Sequence, residues 1–190
     1  MKRRVFLACL SAWVLAGCRE KTAPLPDLGA IPSLTLTSQT GHAVPLASLH
    51  DGPLFVAFFF TRCPSVCPRL VARLKEIKAS AHSTAEVRVA LISVDPEFDT
   101  PNVLAEYAQK YDLRGPGWSL LTGAQQQIVD AAETGFKVGL SGKYASDQPG
   151  FGITHGSHIV LVDSRGHIRK YIRSFDDDAI QVATEALRSL

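Results

Sequence analysis

The chain is 190 residues long, with 20 basic and 18 acidic side chains, a formal charge of +2 and 46% hydrophobic residues. That length and composition suit a single domain with a sizeable core. The balanced charge excludes a nucleic-acid binder, which needs a strong basic excess, and the four cysteines are too few for a disulfide scaffold in a domain of this size.

Lys2, Arg3 and Arg4 open the chain, and the apolar run Val5 to Ala16 that follows is too short to span a bilayer stably. Leu15-Ala16-Gly17-Cys18 resembles a lipobox, the cleavage site of bacterial lipoproteins. On that resemblance residues 1–17 are a signal peptide and Cys18 is the lipidated N-terminus. Arg3-Arg4-Val5-Phe6-Leu7 also resembles a twin-arginine export signal, with Lys2 where a Ser or Thr is usual. Removing residues 1–17 takes three basic residues and no acidic one, which leaves 17 basic against 18 acidic over 173 residues, a net charge of −1. Cys9 and the single methionine, Met1, leave with the signal. With Cys18 lipidated, the exported domain is left with the pair Cys63 and Cys67, and no thioether for a metal. Membrane attachment comes from the lipid rather than from a basic amphipathic helix, and the expected location is the periplasmic face of a bacterial envelope membrane.

Residues 19–32 (REKTAPLPDLGAIP) are proline-rich and polar, so 18–32 reads as the lipidated start and a tether, with the domain over 33–190. Leu34–Thr37 alternates and Val44–Leu46 follows a Gly-His turn, which predicts a hairpin. Leu54–Phe60 is a continuous apolar run, as in a strand buried on both faces. Leu70, Leu74 and Ile77 then recur at helical spacing. Val87–Val94 predicts a second buried strand. Thr100 and Pro101 supply the N-cap and first position of a helix running to about Tyr111. Trp118–Leu121 is a short strand, Gln125–Thr134 a helix, and 139–153 (GLSGKYASDQPGFGI) a long surface loop. His158–Val162 and His167–Tyr171 flank the turn Asp163–Gly166 as an antiparallel hairpin, and Asp177–Leu190 is a final helix. This order is α/β and thioredoxin-like, with an added N-terminal β-hairpin and a loop inserted before the C-terminal hairpin.

Cys63 and Cys67 stand four residues apart where a strand turns into a helix. Backbone N–H groups and the positive end of a helix dipole there predict a lowered thiol pKa, to which Arg62 and Arg69 add if they point inward. Such a pair closes on itself as a disulfide or closes on one soft metal ion, and the spacing alone leaves both chemistries open. Of six histidines, His42, His50, His82 and His167 fall in turns or polar stretches. The strand following His155 is expected to run antiparallel to the cysteine-bearing one, so that His155 enters it at the edge where the cysteines leave. His158, three residues on, falls on the opposite face.

Three stretches carry a family resemblance: FFFTRCPSVCP, LISVDPEFDTP and THGSHIVLVD. Together they resemble the Sco/SenC proteins, thioredoxin-like copper-binding factors of cytochrome c oxidase assembly, over about residues 30–188. Thr154 stands where an aspartate is common, Ser65 where an acidic residue is frequent, and Arg62 where a histidine is often found. The resemblance implies copper, as Cu(I) or Cu(II), held by Cys63, Cys67 and His155. Two thiolates and an imidazole suit Cu(I), whereas zinc favours a fourth ligand that is not evident. Asp95, at the end of its strand, either orients His155 or forms the turn before Pro96, and Asp99 supports the helix start. The expected function is a membrane-tethered copper metallochaperone for the Cu-A centre in subunit II of cytochrome c oxidase. It is expected to work with a thiol reductant protein, to be a monomer, and to act as a chaperone rather than as an enzyme. The alternative is a thiol–disulfide oxidoreductase with Cys63 attacking and Cys67 resolving.

Overall fold

The computed structural model describes residues 24–81, 86–141, 154–155 and 157–190, with the backbone alone at 141, 154 and 155. The signal peptide, Cys9 and Cys18 lie outside the described residues, as does His82. Nine strands and four helices run in the order β1 (Thr35–Ser38), β2 (Ala43–Pro45), β3 (Leu54–Phe59), α1 (Val66–Ala81), β4 (Arg88–Ser93), α2 (Pro101–Lys110), β5 (Trp118–Thr122), α3 (Gln125–Asp130), β6 (Leu140–Ser141), β7 (Thr154–His155), β8 (His158–Val162), β9 (Ile168–Arg173) and α4 (Ala179–Arg188) among the described residues.

Seven strands form one sheet in the order β2-β1-β5-β4-β3-β8-β9. The central three are parallel, Leu54 facing Arg88 and Val89 facing Trp118, as the crossover helices α1 and α2 require. All six residues of β3 are buried, which is why it reads as an unbroken apolar run. β8 pairs antiparallel with β3 (Leu54 with Val162, Val56 with Val160), so its N-terminal end lies at the C-terminal end of β3. The fold is thioredoxin-like, with the expected N-terminal hairpin β1–β2 on one edge and β8–β9 on the other.

Three segments differ from the sequence reading. The tether is docked from Leu25 to Ile31. Leu28 N–H donates to Ile168 O at 2.9 Å, Ile168 N–H to Gly29 O at 2.8 Å and Ile31 N–H to Gly166 O at 2.9 Å. Leu25, Leu28 and Ile31 pack on the core, and Asp27 pairs with His167 at 2.8 Å. The start of the expected loop, in β6, pairs with β7 just beyond it in a two-stranded ribbon, Leu140 opposite His155. The helix expected to Thr134 widens after Asp130 into a π-turn at Ala131–Gly135, with Phe136 N–H donating to Ala131 O at 2.7 Å. Gly135 lets Pro32 pack against this turn, because a Cβ there would stand 2.6 Å from Pro32 Cγ.

The β8–β9 turn is tied by Asp163, which is buried. Its Oδ1 accepts from the Arg165 and His167 amides at 3.0 and 2.9 Å, and its Oδ2 from Arg169 Nη1 at 2.8 Å. Burial pushes the carboxyl pKa up, but these donors outweigh it and hold it at about 2. An unfolded aspartate titrates near about 3.9, so this group contributes stability above that pH and loses it as pH falls from about 4 to about 2. Asp163→Asn should remove about 2 kcal/mol at neutral pH and flatten the acid limb of the stability curve over that window. Urea unfolding at pH 7, 4 and 2.5 reads both effects, and an unchanged acid slope would contradict the assignment.

Candidate metal centre

β3 delivers the chain to the cysteines, and one tight turn sets both sulfurs. Cys63 N–H donates to Phe60 O at 3.3 Å, and Cys67 N–H, in the first turn of α1, donates to Cys63 Sγ at 3.3 Å. Cys63 thus satisfies an otherwise orphaned amide of the helix start. No disulfide joins the two cysteines. Cys63 is 8% exposed and Cys67 0%, while Pro64 and Ser65 between them are exposed. Burial dominates at Cys67 and pushes its thiol well above the ordinary range, although the Phe60 backbone pulls the other way. The lowered pKa expected from the helix start is therefore overturned at Cys67: the helix end is present, but the sulfur is dry.

The two arginines are engaged at the rim. Arg62 Nη2 and Nε reach Asp95 Oδ2 at 2.5 and 3.1 Å, and the guanidinium stacks on exposed Phe98 at 4.3 Å. Arg69 stacks on Phe175 at 4.5 Å. Asp95, 1% exposed, also forms the expected turn, since its carbonyl accepts from Phe98 and Asp99 N–H at 3.0 and 2.8 Å.

Asp99 corrects the sequence reading. Thr100 caps α2, accepting from Val103 N–H at 3.4 Å. Asp99 instead turns inward, fully buried. Its Oδ2 accepts from Thr61 N–H at 3.0 Å and Ser93 Oγ at 2.5 Å, and its Oδ1 from Thr61 Oγ1 at 2.5 Å. Tyr107 was also missed. It is 6% exposed, packs on Phe59 at 5.3 Å, and its buried hydroxyl has no hydrogen-bond partner among the described residues. Burial and, next, the neighbouring Cys67 raise its pKa.

His155 is described in backbone alone, in β7 just ahead of β8. Half-buried His158 lines a cleft with Lys137, Gly139 and Tyr171. Among the described residues no group of three or more His, Cys, Asp or Glu side chains is arranged to hold a metal ion, and no helix is long and apolar enough to cross a membrane.

The SCO1/SenC family model matches residues 28–190. The chain belongs to the SCO1/SenC family. A SCO1 protein homolog of Bacillus subtilis is 31% identical over 158 residues, covering 82% of this chain and 80% of its own. Among solved structures, Bradyrhizobium japonicum ScoI with copper bound superposes with a TM-score of 0.70 at 27% identity, over 85% of this chain and 100% of that one. BsSco, a member of the Sco family of cytochrome c oxidase assembly proteins in which a disulfide switch was identified, superposes with a TM-score of 0.69 at 28% identity, over 86% and 96%.

The three sequence stretches that resemble SCO1/SenC proteins fall together in the fold. The first covers the exit of β3 and the start of α1, the second the exit of β4 and the start of α2, and the third β7 and β8. Parallel β3–β4 and antiparallel β3–β8 pairing bring all three to one sheet edge. In a SCO1/SenC chain the donors on that edge suit a soft ion. Cys63 and Cys67 are adjacent, buried and not joined by a disulfide, a setting for Cu(I) rather than for oxygen-seeking cations.

Proposed function

We infer that this chain is a copper carrier of the bacterial envelope that supplies the Cu-A centre of cytochrome c oxidase subunit II. Copper is its cargo, held by Cys63, Cys67 and His155. The observation that carries this reading is the turn in which the Cys67 amide donates to Cys63 Sγ at 3.3 Å, setting the two cysteines, not joined by a disulfide, side by side at the edge where the His155 segment enters β8. Two thiolates and one imidazole leave the ion coordinatively unsaturated, so an acceptor thiolate can add before one of the carrier's own leaves. Lipidation of Cys18 tethers the domain to the periplasmic face of the membrane, and a thiol reductant protein keeps the pair reduced. The copper-bound Bradyrhizobium relative and the oxidase-assembly relative BsSco support the reading.

One observation favours thiol–disulfide exchange as a second reading. Cys63 is the more accessible sulfur and Cys67 the buried one, as an attacking and a resolving thiol would be. His155→Ala separates the two. For the carrier, Cu(I) competition titration of the reduced domain should show a fall of about tenfold or more, about 1.4 kcal/mol per decade, with thiol chemistry unchanged. Full affinity in the variant removes His155 from the site, and rapid disulfide-reductase turnover by metal-free protein would favour the second reading.

A further inference from the structure

The segment Asp95–Asp99 grips both residues that precede Cys63. Asp95 takes the Arg62 side chain, while Asp99 takes the backbone amide and the hydroxyl of Thr61. Ser93, at the end of β4, closes the network: its hydroxyl donates to Asp99 Oδ2 at 2.5 Å and accepts from Asp95 N–H at 3.0 Å. We propose that Asp99 is a positioning residue, whose buried carboxylate holds the Cys63–Cys67 turn to the end of β4 through Thr61.

Three arguments carry this. A fully buried carboxylate is costly unless its oxygens are bonded, and an apolar side chain of similar size would serve stability as well or better. Its donors come from the exits of two different strands, so the bonds fix one strand end against another rather than completing a local turn. The task a local reading would give Asp99, capping α2, is already performed by Thr100. With the Thr61 hydroxyl bond lost, only the Thr61 amide still ties this strand end to Asp99, and the segment from Phe60 to Cys63 gains freedom. Buried Cys67 is then uncovered by local opening without global unfolding.

The inference deepens the copper-carrier reading, and only its metal arm rests on that reading. The test uses reduced, metal-free protein, with iodoacetamide as the probe and labelling of each cysteine followed by peptide mass. Thr61→Val removes the hydroxyl donor at nearly constant shape, and Thr61→Ser keeps it. Cys67 should be alkylated about tenfold faster in Thr61→Val, more than its urea stability predicts, and near the native rate in Thr61→Ser. Asp99→Ala, which removes both bonds to Thr61, should shift the rate the same way, and adding Thr61→Val to it should add little, because the hydroxyl bond is already gone. In the metal arm, Thr61→Val weakens Cu(I) binding and Thr61→Ser does not. Cys67 labelling that is unchanged, or that tracks global stability with Ser no better than Val, overturns the proposal. Native protein that holds no Cu(I) while the labelling pattern stands overturns the carrier reading and leaves the brace supported.

Discussion

Cys67→Ser is expected to lower Cu(I) affinity by roughly a thousandfold, about 4 kcal/mol, while the domain stays folded. Serine nearly matches the shape of cysteine but offers a hard oxygen that stays protonated at neutral pH, so the ion keeps one soft donor instead of two. The Cys67 position is 0% exposed, so the new hydroxyl is buried and costs about 1–3 kcal/mol of stability if it finds no partner. The bond from the residue 67 amide to Cys63 Sγ is a backbone donation and survives the change. Competition against a Cu(I) chelator measures the affinity, and circular dichroism with urea unfolding checks the fold. Affinity within tenfold of native in a folded variant would remove the second thiolate from the site, and with it the carrier reading. The same variant ends any disulfide between the two sulfurs, so it tests the dithiol under both readings, and His155→Ala then divides them.

The burial of Cys67 sets a second condition on this chemistry. A thiol held above its ordinary range by desolvation stays protonated until something compensates the charge. A soft cation does so directly, and metal uptake then releases a proton. The dry sulfur thus biases the turn toward binding a cation and away from reacting as a free thiolate, because the attacking species in exchange is the anion.

What was legible in the sequence is what local pattern encodes. β3 shows as an apolar run because helices cover both faces of a parallel strand, and α2 shows by its Thr-Pro start. The cysteine turn shows because two thiols flank a strand-to-helix change, and the relation of β8 to β3 follows once the sheet is recognised. What was illegible depends on partners far away in the chain. Leu25, Leu28 and Ile31 sit among prolines with no period, and Arg169, which donates to the carbonyl oxygens of Leu25 and Pro26, lies more than 140 residues downstream. Asp99 looks like part of a helix start because Thr100 and Pro101 follow it, whereas its partner Thr61 is 38 residues upstream. The signal available was the second aspartate in Asp-Pro-Glu-Phe-Asp, redundant as a cap because Thr100 already fills that position. Thiol burial at Cys67 leaves no trace in spacing at all.

Phe58→Ala should be the most destabilising single change, at about 3–5 kcal/mol. Phe58 is fully buried near the C-terminal end of β3, opposite Ile92 of β4, and its ring meets that of Phe136 edge-on at 5.6 Å and 73°. Truncation removes a large apolar side chain, leaves a cavity between sheet and helix layer, and forfeits an aromatic pair worth about 0.5–1.5 kcal/mol beyond area. β3 cannot collapse to fill the space, because it is hydrogen-bonded on both sides, to β4 and to β8. Phe136 cannot follow either, since its amide is tied to Ala131 O by the wide turn that closes α3. A domain of this size holds only about 5–15 kcal/mol in total, so the melting temperature should fall by about 10 °C. Phe58→Leu, which keeps most of the volume, should cost under half as much. Phe136→Ala should be coupled to Phe58→Ala in a double-mutant cycle. Additive losses would mean that the two rings stabilise the sheet independently. A loss below 1 kcal/mol for Phe58→Ala would mean that the layer above β3 relaxes into the cavity, and the cysteine turn would then lack the rigid strand on which its geometry depends.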